Sequence, residues 1–309
     1  MRTQLPLTLL AAAFVCSLFT APAYAQRARV FVASYGNDSN PCTFLSPCKT
    51  FQQAVNVVAF GGAVTAIDSA GFGPINITKA VTITSPNGVE AGIVPVMGGN
   101  SITINAGLTD AVNLQGLTLD GAGIGQNGIA FNTGGTLTIE NCVIRNAVGA
   151  GIYYVPTTTG TGQLVVSHTL VTNNDDRGIH LLTQTSTEIN AAFNHVEVTS
   201  NGSDGLFVEQ GVGGTSIVAT VSESVAALNK KVGFNSSGGV TLHLFHSVAT
   251  GNATGLEVAA SSISIAETEV TDNVAGWVIN GGGTIDTFID NHIIGNGANT
   301  GSLSSVPNQ

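Results

Sequence analysis

Seven glycines recur through the middle of the chain, at Gly128, Gly151, Gly178, Gly205, Gly233, Gly255 and Gly276, separated by 23, 27, 27, 28, 22 and 21 residues. Self-similarity at such a period marks a solenoid, because one repeat is too small to bury its own apolar face and must stack on its neighbours. The surrounding text repeats too: an alternating apolar pair, a polar turn, a valine or similar residue, an Asn three or four positions on, then the glycine and an apolar residue. LVVSHTLVTNNDDRGIHL, LHLFHSVATGNATGLEV and ISIAETEVTDNVAGWVI are three copies. Both halves are rich in Val, Ile, Thr, Ser and Gly, so neither supplies the helical or 3₁₀ half of a leucine-rich repeat, and three short strands per coil fit better. After each glycine, positions +1 and +3 are mostly apolar (Ile179 and Leu181; Leu206 and Val208; Leu256 and Val258) while +2 varies (Tyr153, His180, Phe207, Asn235, Glu257). That is the period of two of a strand with one face inward.

The beginning of the chain predicts export. Arg2 precedes an apolar run from Leu9 to Phe19, and Ala23-Tyr24-Ala25 has the form of a signal-peptidase site, so residues 1–25 read as a signal peptide. No later window is apolar for long enough to span a bilayer as a helix, so an integral membrane protein is not expected, and the destination is the periplasm or the exterior. The charge balance of −10 becomes −11 once Arg2 leaves. It lacks the basic stripe that nucleic acid or an anionic membrane would need. Cys42 and Cys48 bracket a short loop that an oxidising compartment would close as a disulfide, while Cys142, in the strand-like LTIENCVI, reads as a buried structural thiol.

With coils of 21–28 residues, short strands, Asn-rich turns and no helical half, residues 61–297 resemble a right-handed parallel β-helix of the pectin-lyase-like kind. Residues 26–60 resemble the N-terminal cap of such proteins, with Phe51, Ala54, Val55 and Val58 on one face of a helix that would cover the first coil. The expectation is therefore an all-β right-handed parallel β-helix with an N-terminal capping helix and a flexible tail over 298–309. Oligomeric state is left open. The residues two before the valine column, Gln115, Asn141, His168, Asn194, Glu223, His246, Thr268 and Asn291, are expected to stack as a polar ladder at one turn.

One stretch concentrates charge, NNDDRGIH at 173–180. Its structural reading pairs Arg177 with Asp204 one coil on, as an exposed ion pair contributing about 0–1 kcal/mol, and packs His180 over Phe207. Its chemical reading gathers Asp175, Asp176, Asp204 and Glu209 on adjacent coils, as an acid and base pair with Arg177 or His180 moving a proton. No cofactor is required, and Ca²⁺ is the ion such carboxylates would suit. The resemblance implies the same options, since lyases of this fold combine acidic Ca²⁺ ligands with an arginine base and its glycoside hydrolases cluster aspartates. Neither the hydrolases' Gly-Asp-Asp nor the lyases' Trp-x-Asp-His accompanies NNDD. The loops after Gly151, Gly178 and Gly205 are longer than the others and rich in hydroxyls and glycine, with Tyr153, Tyr154 and Phe207 nearby. The first expectation is thus a polysaccharide or cell-envelope glycan bound at Tyr153, Tyr154, Asp204, Phe207 and Glu209. A polysaccharide lyase or glycoside hydrolase working through Asp175, Asp176, Arg177 and His180 is the alternative, and a purely structural envelope module the third.

Overall fold

The computed structural model describes residues 27–157, 160–184 and 186–307, so the signal peptide expected over residues 1–25 lies outside the described residues. The chain winds as a right-handed parallel β-helix in which every coil adds one strand to each of three strips. The third strip is a nine-stranded parallel sheet running from Ile75–Ile77 to Ala275–Asn280. The first two merge into one 20-stranded sheet because two strands of 13 residues, Gly160–Thr172 and Thr187–Thr199, run through the corner between them. The enlarged loops after Gly151 and Gly178 end in these strands: Gly160 pairs with Thr187 and Thr161 with Glu188.

Alternation places the core as the sequence implies. On the nine-stranded sheet Ile102, Ile129, Ile152, Ile179, Leu206, Phe234 and Leu256 stack in register and are buried. Each contributes about 1.5–3 kcal/mol by leaving water. Cys142, at the corner between the first two strips, is buried as well, and burial pushes its thiol up to about 11.

Two turns fix the coil. The Asn of each repeat forms a buried ladder, Asn174–Asn201–Asn229–Asn252–Asn273–Asn296, in which each amide oxygen accepts from the backbone N–H and the Nδ2 of the rung before it at 2.9–3.1 Å. The Nδ2 of Asn229 also donates to Val198 O at 2.9 Å, as its neighbours do on their own coils. At the other corner one residue per coil takes a left-handed φ near 50°: Asn141, His168, His195, Glu223, His246 and Glu267. This corrects the expected ladder, which placed Asn194 and Thr268 in that column. Each lies one position from its coil's corner residue, because Leu170 pairs with Glu197 and not with Val196 before it, and Val248 pairs with Glu269 and not with Val270 after it. The corner conformation sets the register, and it accepts Asn, His or Glu without leaving one residue signature.

At the N-terminal end α1 (Phe51–Val57) is capped by Thr50, whose side chain accepts from Gln53 N, and Asp38 binds the amides of Lys49 and Thr50. Phe51, Ala54 and Val55 are buried, with the Phe51 ring 4.9 Å from that of Phe72. The cap also contains a strand the sequence reading missed, Arg27–Val32, parallel to Val58–Ala66, and Val32 bridges to Cys48, which is disulfide-bonded to Cys42. Residues 298–307 correct the flexible tail. Asn299 accepts from Gly276 N, Ile279 N donates to Thr300 O, and Ser304–Ser305 pairs with Asp286 and Thr287, because the last coil's strand edges would otherwise be unpaired. No helix among the described residues is long and apolar enough to cross a membrane.

Candidate functional site

The outward +2 positions of the nine-stranded sheet stack in register as Tyr153, His180, Phe207, Asn235 and Glu257 on five consecutive coils. The rings form a continuous pile: Tyr153 lies 5.4 Å from His180, and His180 is stacked on Phe207 at 5.1 Å and 15°. Arg177, from the turn before the strand, lays its guanidinium over Phe207 at 4.9 Å. It also approaches Asp176 at 3.2 Å and, through Nε, Asp204 at 3.6 Å.

Asp204 is buried, so its pairing with Arg177 is not the exposed ion pair that the turn position implies. Oδ1 accepts from Val232 N at 3.1 Å. Burial raises the Asp204 carboxyl above its ordinary value, against the pull of the Val232 amide, Arg177 and Lys231. Arg177 Nε is itself buried without a hydrogen-bond partner. An open cavity of about 430 Å³ lies beside the pair, lined by Arg177, Asp204, Phe207, Lys231, Asn235 and Glu257 among others. Glu257 is also raised, by burial and then by the charge of Asp204. The cavity thus holds two cations, two carboxyl groups, an amide and an aromatic face.

His180 is buried between its ring neighbours, and burial, with Arg177 beside it, pulls it down to about 3. The ring is neutral at pH 7, so its 3.2 Å contact with Glu209 is a hydrogen bond with the imidazole N–H donating. A proton-shuttling His180 is therefore set aside.

Two expected positions are also corrected. Tyr154 is fully buried, stacked on Phe131 at 4.3 Å, since it occupies the inward +3 position, and no ligand outside the coil reaches it. Asp175 faces a different cavity, with Asp120, Asn146 and Asn173, and so separates from Asp176 and Asp204. The four carboxylates do not converge, and among the described residues no group of three or more His, Cys, Asp or Glu is placed to hold a metal ion. Lys231, Asn235 and Glu257 were missed as site residues. Asn235 and Glu257 share the variable column with His180 and Phe207, and that column was the signal that pointed to them.

Comparison with known proteins places these observations. Residues 65–201 match the model of a domain of unknown function, DUF4957. No curated protein matches the chain. Among solved structures, pectate lyase Pel9A aligns with a TM-score of 0.59 and 14% identity over 91% of this chain and 78% of its own. The A-module of the Azotobacter vinelandii mannuronan C-5 epimerase AlgE4 gives 0.55 and 16% over 80% and 89%. The enzymatically active domain of tailspike protein 2 of bacteriophage CBA120 gives 0.56 and 16% over 92% and 46%. At such identities the likeness is one of fold.

Proposed function

The chain is a right-handed parallel β-helix of the pectin-lyase-like fold, and from that premise we propose that it binds a glycan across the outer face of its nine-stranded sheet. One observation carries the reading: aromatic, amide and carboxyl side chains succeed one another on consecutive rungs, Tyr153 to Glu257, beside a cavity with fixed charges of both signs. Sugar rings present apolar faces that pack on aromatics and hydroxyls that bridge donors and acceptors, and such a ladder offers both along one line. The mixed charge and a chain at −10 favour a neutral polysaccharide over nucleic acid. The pectate lyase and the mannuronan epimerase support the reading by what their names say they act on. The Cys42–Cys48 disulfide supports a site outside the cytoplasm, in the periplasm or beyond the cell. Titrating a panel of polysaccharides with and without Ca²⁺ tests the proposal. Binding is expected to weaken at least tenfold in Phe207→Ala, and unchanged binding in that variant sinks it.

Turnover is a second reading, favoured by Asp204 and Glu257 facing one cavity, both raised by burial. Paired carboxyl groups of unlike environment are how glycosidic bonds are cleaved. Product analysis of the same incubations decides it: Glu257→Gln should abolish cleavage while leaving binding in place.

A further inference from the structure

A second depression lies on the outer face of the second strip, away from the nine-stranded sheet. Two cavities of about 390 and 570 Å³ share Val94 and Asp120 and so form one trough. It runs from Ser69 past Gly92, Thr118 and Arg145 to Asn173, crossing five coils along the helix axis. Four strand spacings make it roughly 19 Å long.

Arg145 is set in this trough as a donor. Its Nε donates to Asp120 Oδ2 at 2.9 Å, while Asp120 Oδ1 accepts from Ala122 N and Asn146 Nδ2, both at 2.9 Å. Burial opposes charge on Asp120, but these bonds and the guanidinium outweigh it and hold the carboxyl below its ordinary value. Among the described residues the two Nη groups of Arg145 have no hydrogen-bond partner. They form a fork whose orientation Asp120 has already fixed.

The floor is bare for no reason internal to the fold. Gly71 and Gly92 pair in register, and neither has a left-handed φ. A Cβ on Gly71 would meet nothing within 4 Å, and one on Gly92 would meet Ala70 O at 3.5 Å, an ordinary contact. Glycine within a strand gives up β propensity, and where neither backbone nor packing asks for it, it keeps room for something to lie close to the sheet.

The lining restricts what that is. Glu90, Asp120 and Asp175 outnumber Arg145, which repels nucleic acid and other polyanions. The N–H and C=O groups of the floor strands are spent on the coils above and below, so an extended peptide finds no edge to join. Hydroxyls of Ser69 and Thr118, amides of Asn146 and Asn173, the carboxylates and the arginine fork suit a chain dense in hydroxyl groups. We propose that this trough is a second glycan site, which holds a neutral polysaccharide chain along the helix axis over Gly71 and Gly92 with Arg145 as its principal donor.

This site stands whether or not the nine-stranded sheet binds sugar, and the test separates them by working in a Phe207→Ala background. Cellohexaose, xylohexaose, mannohexaose and chitohexaose are titrated calorimetrically into that protein and into the same protein carrying Gly92→Thr. The added side chain has space and a suitable strand conformation, so the melting temperature is expected to hold or rise. At least one hexasaccharide should bind the Phe207→Ala protein and lose tenfold or more with Gly92→Thr, and Arg145→Gln should reproduce the loss. No binding by any hexasaccharide, or equal binding with and without Gly92→Thr, overturns the proposal. If Gly92→Thr lowers the melting temperature, Gly71→Ser and Arg145→Gln replace it, and unchanged affinity in both overturns it equally.

Discussion

Arg177 and Asp204 show how burial changes the weight of a contact. The ion pair was legible from the repeat, but its strength was not, because a turn position reads as exposed while Asp204 is covered by the following coil. Truncating one partner of a buried pair strands the other, so the coupling between Arg177→Ala and Asp204→Asn in a double-mutant cycle is expected near 2 kcal/mol, by analogy with such pairs. Lys231 limits it by remaining near the carboxyl. A coupling below about 0.5 kcal/mol would return the pair to the surface class. His180 gives the matching pH dependence. Its folded value of about 3 lies below the ordinary 6.5, so the stability it contributes is present above pH 6.5 and is lost as pH falls toward 3. The groups facing it are Glu209, Arg177, Tyr153 and Phe207. In His180→Phe, which keeps the stack, the drop in unfolding free energy between pH 7 and pH 4 should be smaller than in the wild type, by an amount on the order of 3 kcal/mol. Parallel acid limbs for the two proteins would remove His180 as the cause.

At the scale of the element, the strands of the nine-stranded sheet were readable in detail. Their alternation even contained the correction to Tyr154, which sits three residues after Gly151 as Leu181 does after Gly178. The corner between the first two strips was not readable, since any of Asn, His or Glu can hold the left-handed residue and the valines used for alignment drift by one position. The strand Arg27–Val32 was missed because its partner, Val58–Ala66, lies on the far side of α1. Lys231 escaped notice for a similar reason: it enters the site from the turn of a later coil, and only register brings it beside Asp204. The asparagine ladder was visible as a repeated letter and is now assigned energy. Asn229→Ala removes the acceptor for Asn201 N and Nδ2 and the donor to Val198 O and Asn252 Oδ1, all buried. At about 1–3 kcal/mol for each stranded group, a loss of roughly 3–5 kcal/mol is expected in denaturant unfolding. Asn296→Ala, at the half-exposed last rung, should cost well under half of that, and equal losses would mean that the rungs do not act through burial.

For the whole molecule, the ladder has a direction. Every amide oxygen faces back toward the N-terminal coils and receives there, from Ala147 N onward to Asn296, so the row of amides has a donor sense that never reverses. The two ends of the cylinder are consequently as unlike as the ends of an actin filament. Two such cylinders could continue one another only head to tail, and a contact of that kind does not close on itself but grows. The helix and disulfide loop cover one end with a surface that does not repeat the coil, while at the other residues 298–307 carry the winding on, Thr300 bridging in parallel to Val278 and Ser304–Ser305 pairing in parallel with Asp286 and Thr287. What covers the core beside the first coil thus also breaks the repeat there, so a growing stack would meet the coil's own pattern on one face of the cylinder and a helix and loop on the other.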